Sequence, residues 1–346
     1  MLSAALFGMS TPFAKLLLGG GLDPWLLAGL LYLGSGIGLG VFRLIRTRRG
    51  DKGGERPLRG ADLPWLGLVI LSGGVAAPIL LMIGLATTPA SIAALLLNVE
   101  ALATMAIAWL VFKENVDHRL LLGALAILAG AALLTWRDGA AGPEFGGLGL
   151  GGLAIVAACI AWGVDNNLTR KLSGGDPAQI AMLKGLVAGV VNLSLALIRG
   201  APLPPAPSLA AAGLIGLLGY GLSLVLFVLA LRHLGVARTG AYISTAPFVG
   251  SSLAIVLLGE PVTTPYLAAT ILIAVGVYLH ITERHEHSHV HEPLEHEHAH
   301  VHDEHHQHPH PNGYCGEPHT HVHRHRPLRH SHPHFPDLHH RHGHGG

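Results

Sequence analysis

Three ionisable side chains stand in stretches that are otherwise apolar: Glu100, Asp165 and Lys184. Glu100 falls near the middle of an apolar run over about 90–112. A lone carboxylate in an apolar medium is costly, so it must face a protein interior or a cavity. A carboxylate so placed suits proton-coupled exchange or recognition of a cationic group. The structural alternative is a glutamate hydrogen-bonded by Asn98 or by a neighbouring segment. Asp165, followed by Asn166 and Asn167, closes another apolar run, and Lys184 lies a few residues into the next. The two lie at similar depth on neighbouring segments and could pair. Such a pair either tolerates charge in a packed interior or exchanges partners as a gate. Lys184 could instead hold an anionic group such as an amino-acid carboxylate. Lys15, near the end of the first run, is expected to reach back to the interface. Asn192, Tyr242, Ser244 and Thr245 are weaker lining candidates.

A second kind of chemistry is confined to the end of the chain. Residues 282–346 carry 23 of the 26 histidines. They include His285, His287, His289, His291, His296, His298, His300 and His302. His305, His306, His308 and His310 follow, and then His319, His321, His323 and His325. Imidazole is a good ligand for Zn, Ni and Co, and closely spaced flexible ligands wrap ions without fixing one geometry. Cys315 could add a thiolate. No cofactor is required by any motif. The glycine runs lack a Gly-Lys-Ser/Thr ending, so nothing suggests an ATP-driven pump. No nucleophile–base signature suggests an enzyme.

These groups need elements to hold them. Half of the 346 residues are apolar and 12% are charged, against about 25% charge in a soluble domain. A net charge of +1 gives no case for nucleic-acid binding. Two cysteines cannot make a disulfide scaffold. Residues 1–281 read as apolar stretches broken by short polar or Gly/Pro joints, and 282–346 as a disordered tail. A helix needs roughly 20 apolar residues to cross a bilayer. Ten candidates fit: about 1–19, 24–44, 64–84, 90–112, 119–136, 149–168, 178–198, 209–231, 237–258 and 263–281. The least distinct joint is Ala86–Ser91. The tryptophans, Trp162 included, mostly lie near span ends, where interfacial anchoring explains them. Cys159 is expected to pack as a small apolar residue.

Arg43, Arg46, Arg48, Arg49, Lys52, Arg56 and Arg59 follow the second span. Alternate joints carry Lys113 and Arg119, Arg170 and Lys171, and Arg232 and Arg238. The opposite side carries Arg137 and Arg199. This bias predicts a multi-pass protein of the cytoplasmic membrane with both termini cytoplasmic.

The body repeats itself. Phe7-Gly8 through Lys15 matches Trp162-Gly163 through Arg170, and Leu95 to Glu114 aligns without gaps to Ala241 to Glu260. Tyr242 and Thr245 thus lie on the counterpart of the Glu100 helix. Five spans per copy is an odd number, which turns the second copy over in the membrane. The predicted fold is all-α: ten transmembrane helices as two five-helix inverted-topology repeats. Such repeats are typical of secondary transporters with a site near the midplane. The divisions are 1–139, 140–281 and the tail 282–346. Glu114 and Glu260 end matching helices and are expected to be boundary or cap residues.

With these residues in view, the body resembles the EamA-type group of the drug/metabolite transporter superfamily. The resemblance rests on Ala5-Leu6-Phe7-Gly8 and Ala161-Trp162-Gly163, which open the two halves. It also rests on Ala230-Leu231 through Gly235, Ala237, Ala241, Ser244, Pro247 and Glu260, and on Leu95 through Glu100 to Phe112-Lys113-Glu114. It implies ten helices, cytoplasmic termini and movement of small metabolites or drugs. Pro247 aligns with Ala101, so the first copy lacks that proline. The histidine tail is not a general family feature.

The sequence therefore predicts a secondary active transporter of a small solute in the lipid bilayer, with a metal-binding tail. The site candidates are Glu100, Lys184, Asp165, Asn98, Asn167, Lys15, Tyr242 and Thr245. The alternatives are a divalent metal transporter, a membrane-embedded metal sensor or scaffold, and a tail that is low-complexity sequence with incidental metal affinity. Both copies lie in one chain, so a monomer suffices, and a homodimer stays open.

Overall fold

The computed structural model describes residues 1–48, 56–112, 118–135, 149–172 and 174–282 of the body. In the tail it describes 286–290, 295–300, 319–324 and 329–333. The first half holds α1 (Leu2–Gly19), α2 (Pro24–Arg48), α3 (Leu63–Val69), α4 (Ala77–Thr87), α5 (Ala90–Leu96), α6 (Val99–Phe112) and α7 (His118–Thr135). The second holds α8 (Leu150–Leu172), α9 (Pro177–Ile198), α10 (Ala206–Ile215), α11 (Ser223–Ile243), α12 (Ala246–Leu258) and α13 (Thr264–Ile281). Eight helical stretches among the described residues are long and apolar enough to cross a bilayer. The expected spans near 119–136 and 237–258 contain shorter apolar helices, His118–Leu134 and Ala246–Leu258.

The same irregularities recur in both copies. A seven-residue π-helical segment, Ile70–Ala76, joins α3 to α4, and another, Gly216–Leu222, joins α10 to α11. Their spacing equals that of Leu95 and Ala241. The following helix breaks at Leu97-Asn98 in the first copy and at Ser244-Thr245 in the second. At both breaks a side chain takes a carbonyl three residues back. Asn98 Nδ2 donates to the Leu95 carbonyl at 3.0 Å and Thr245 Oγ1 to the Tyr242 carbonyl at 2.6 Å. Side-chain competition of this kind interrupts a helix. The break in the first copy therefore forms without the proline that Pro247 supplies in the second.

One expected joint differs. α4 ends at Thr87 because Pro89 forces Thr88 into extended backbone, φ −107° and ψ 140°. The sequence predicts a corresponding joint at 232–236, but α11 runs unbroken through it to Ile243. The position matching Pro89 is Gly235, and a glycine does not oblige a helix to stop.

The exterior is apolar. Ile37, Phe42, Leu71, Leu125, Val190, Val256 and Ile271 are exposed on different helices, and polar side chains such as Asn98, Asp165, Lys184 and Asn192 are buried. This is the arrangement a lipid-facing bundle requires. Contacts between halves follow the repeat. α2 runs along α9, and α7 along α13. α6 packs on α8, and its counterpart α12 packs on α1, which corresponds to α8. Glycines make these approaches close. A Cβ on Gly163 would stand 2.9 Å from the Ala103 carbonyl carbon, and one on its counterpart Gly8 would strike the Ala246 carbonyl. Small residues at such contacts let helix backbones touch.

In the tail, Glu286–Val290 pairs antiparallel with Arg329–Pro333, and Glu295–His300 with His319–Arg324. Alternating His-x-His sequence has the period of a strand, so backbone pairing is available where helical patterning is not. Two-stranded pairs are at best marginally stable alone in water, so neither supplies a folding core.

Candidate functional site

The π-helical segment in the first copy organises the interior. A π-turn disturbs the regular pairing of backbone groups and often marks a working site. The Gly73 carbonyl accepts from Tyr32 Oη at 2.6 Å and from Trp162 Nε1 at 3.1 Å. The next carbonyl, of Gly74, accepts from Asn192 Nδ2 at 2.9 Å. Side chains from α2, α8 and α9 thus converge on two consecutive peptide units. Phe7 meets Trp162 edge-on with centroids 6.0 Å apart, and meets Tyr220 in the same way at 5.9 Å. Tyr32 and Tyr220 are 5.3 Å apart.

These rings wall a cavity of ≈ 80 Å³ between the halves. Glu100, Asp165, Asn166 and Lys184 supply its charged and amide groups, with Ser3 and Ser223 among the polar lining. Glu100 sits in the first turn of α6, just past the break. The break ends one helix and starts another inside the bundle, which presents the carboxylate to α8. It accepts from Asn166 Nδ2 at 2.8 Å, and the same amide nitrogen lies 3.2 Å from Thr104 Oγ1. Lys184 Nζ meets Asp165 Oδ2 at 2.5 Å, with the two residues 3% and 4% exposed. Thr169 Oγ1 donates to the other Asp165 oxygen at 3.2 Å. A buried pair of this kind stands only if each charge is held by a partner.

Of the sequence candidates, Glu100, Asp165 and Lys184 share this cavity. The others lie elsewhere. Asn98 does not hold Glu100, because its amide is turned to the Leu95 carbonyl. Asn167 joins the Thr104 and Gly163 carbonyls at 3.0 and 2.8 Å and so fastens α8 to α6. Thr245 marks the break before α12, and Tyr242 is exposed beside it. Lys15 does not snorkel freely. Its Nζ donates to the carbonyls of Leu85 at 2.7 Å and Thr88 at 2.9 Å, because those carbonyls end α4 without helical partners. Trp162 is not an interfacial anchor: it is 5% exposed, and its ring nitrogen is engaged at the π-segment. Cys159 is buried, with Sγ 3.7 Å from the Leu96 carbonyl. Glu260 does cap a helix, but in the other half, at the start of α5. Glu114, Cys315 and Trp136, together with His285, His291, His302, His305, His306, His308, His310 and His325, lie outside the described residues or have no described side chain. The remaining tail histidines lie on the paired strands, whose register sets His287 opposite His332, His289 opposite His330, His296 opposite His323, His298 opposite His321 and His300 opposite His319.

Sequence reasoning missed Tyr32, Phe7 and Tyr220 and misplaced Trp162. One signal was present. Phe7 and Trp162 occupy matching places in the two copies, each just before the glycine that contacts the opposite half.

Comparison with known proteins agrees with this architecture. The profile of the EamA-like transporter family matches residues 1–136 and 149–282. An uncharacterized transporter of Methanothermobacter thermautotrophicus is 28% identical over 284 residues, covering 79% of this chain and 82% of that one. A probable terminal-alkyne amino-acid exporter of Streptantibioticus cattleyicolor is 28% identical over 215 residues, covering 61% and 70%. A solved crystal structure superposes with a TM-score of 0.56 at 22% identity, over 80% of this chain and 96% of that one, which shows the fold alone.

Proposed function

The chain belongs to the EamA-like transporter family, and from that premise we propose that it is a secondary active transporter of a small organic solute in the cytoplasmic membrane. The observation that carries this reading is the cavity between the halves, where Glu100 of one copy faces Asp165, Asn166 and Lys184 of the other. A group contributed from both sides of an inverted repeat is remade when the repeats rock against each other. Glu100 is the coupling or cation-recognising group: its carboxylate has one amide donor, from Asn166, and borders open volume. Lys184 and Asp165 are the pair that separates and re-forms between states. An amino-acid-like solute fits this set, since its carboxylate would compete for Lys184 and its ammonium for a carboxylate. The named exporter of an amino acid among the relatives supports that direction.

The test is Glu100→Gln in proteoliposomes with an imposed proton gradient. The substitution keeps the shape and an acceptor for Asn166 but removes the exchangeable charge. Gradient-driven flux is expected to fall at least tenfold, and its dependence on pH to flatten. Parent-like flux with the parent's pH response would sink the role given to Glu100.

The tail acts as a separate metal-binding appendage, supported by its histidine density and by the facing histidines in its register. Cells producing a chain that ends at His280 are expected to retain less Zn, Ni and Co than cells producing the full chain at equal level. Efflux or uptake of the organic solute should stay within about twofold. Equal metal retention by both chains would remove the appendage from the account.

A further inference from the structure

At one end of the bundle two charges grip the same short joint. α4 and α5 are separated by Thr88 and Pro89. On one side of that joint, Lys15 Nζ from α1 donates to the carbonyls of Leu85 (2.7 Å), Ala86 (3.3 Å) and Thr88 (2.9 Å). On the other side, Glu260 accepts from the backbone N–H groups of Ala90 at 2.7 Å and Ser91 at 2.8 Å, and from Ser91 Oγ. A cation thus sits where one helix presents bare carbonyls, and an anion where the next presents bare N–H groups. Glu260 reaches this place because Gly259 adopts φ +63°, the left-handed conformation that turns the chain back after α12. α8 closes the third side, where Gly151 packs directly on Thr87 and Thr88.

The grip lies well away from the cavity. Phe7 lines the cavity and Lys15 does not, and eight residues along α1 span about 12 Å. The arginine-rich segment lies at the other end, where Arg43 pairs with Asp176 and Leu58 N–H donates to Gln179 at 3.0 Å. The repeat alignment gives each charge a counterpart in the opposite copy: Lys15 matches Arg170, and Glu260 matches Glu114.

We propose that Lys15 and Glu260 form a lock on the α4–α5 joint, which seals the cavity from the face opposite the arginine-rich segment and must release for solute to pass on that side. A lock of this type differs from an ordinary cap. Both charges come from elements outside the hairpin: Glu260 belongs to the other half, so its hydrogen bonds break when the halves separate, and those of Lys15 break when α1 shifts against α4 and α5. The loose backbone groups then find water, which lowers the cost of opening.

This inference rests on the reading that the cavity is exposed alternately to the two faces. It is tested by accessibility, which needs no knowledge of the solute. The reporter is Phe227→Cys, a cavity-lining position, in full-length protein with Cys159→Ser and Cys315→Ser. A membrane-impermeant maleimide is added to one face at a time, using right-side-out and inside-out vesicles. The parent should label only from the arginine-rich face. Lys15→Ala and Glu260→Gln should each raise the labelling rate from the opposite face at least tenfold, and Lys15→Arg should stay within twofold of the parent. If Lys15→Ala does not elute as a folded species, Glu260→Gln and the milder Ser91→Ala report on the same contacts. Labelling from the opposite face that stays within twofold of the parent in a folded Glu260→Gln protein overturns the lock. Fast labelling of the parent from that face overturns it as well. Neither result bears on the Glu100 flux test, and a negative flux test leaves the accessibility result standing.

Discussion

Lys184→Met is expected to destabilise the protein by about 3–5 kcal/mol, because it leaves the Asp165 carboxylate buried without its cation. Asp165→Asn should cost a similar amount by stranding Lys184. The two residues are 3% and 4% exposed, and their charges meet at 2.5 Å, so neither can turn to water when its partner is lost. The double variant Lys184→Met/Asp165→Asn removes both charges and keeps an acceptor for Thr169. It should recover most of the lost stability, since the cost of burying an unpaired charge is gone and only the smaller cost of a buried amide remains. Thermal unfolding in detergent, read by monodisperse elution after heating, gives the four corners of the cycle. Single variants as stable as the parent would mean that the pair is not desolvated in the folded protein. Flux separates structure from mechanism. If the pair only holds α8 to α9, the double variant transports like the parent. If it must part and re-form, the double variant folds and does not transport. Parent-like flux in the stable double variant would therefore remove the pair from the mechanism.

Much of this pair was legible in the sequence. Asp165 and Lys184 are opposite charges in consecutive apolar runs, and lipid leaves such groups few alternatives. Glu100 was legible for the same reason. The repeat was legible too, because polar landmarks recur at fixed spacing, and the two helix breaks overlap at the aligned pair Asn98 and Ser244. The aromatic wall was not. Tyr32 and Tyr220 carry no marker that distinguishes a cavity ring from a packed one, and the interfacial preference of tryptophan pointed Trp162 to the wrong environment. The decisive feature is a backbone irregularity at Gly73 and Gly74, which turns carbonyls toward Tyr32, Trp162 and Asn192. Side-chain patterning reports which face a residue takes, not whether a helix has an extra residue per turn. Lys15 was misread for a related reason: its partners are main-chain carbonyls, which no residue code records.

That irregularity gives the second large effect, at Gly73. A Cβ added there falls on the Asp165 carboxylate, whereas one added at Gly67, on α3 of the same rod, meets nothing within 4 Å. Gly73→Ala must therefore displace a carboxylate that is already fixed by Lys184 and Thr169. Overpacking of this kind costs about 1–3 kcal/mol, and flux should fall at least tenfold, while Gly67→Ala should leave both near the parent's values. The repeat makes the comparison sharper. Gly219 is the counterpart of Gly73, and a Cβ there would meet Ser10 Cβ at 2.7 Å, not a charge. The frame is thus symmetric, and the chemistry sits beside one π-segment only among the described residues. Substitution at Gly219 should lower stability through Ser10, but Gly219 itself lines the cavity, so Gly67→Ala and not Gly219→Ala is the control for flux. Combining Gly73→Ala with Lys184→Met/Asp165→Gly tests the cause directly, because the Asp165 Cβ itself would stand 2.6 Å from the new methyl group and must go with the carboxylate. In that background the three atoms nearest the methyl group are gone, and the stability cost of Gly73→Ala should shrink to a few tenths of a kcal/mol. If the cost persists undiminished in that background, the glycine serves the Tyr32 and Trp162 hydrogen bonds to its own carbonyl, and the ion pair is a neighbour of the π-segment and not its dependant.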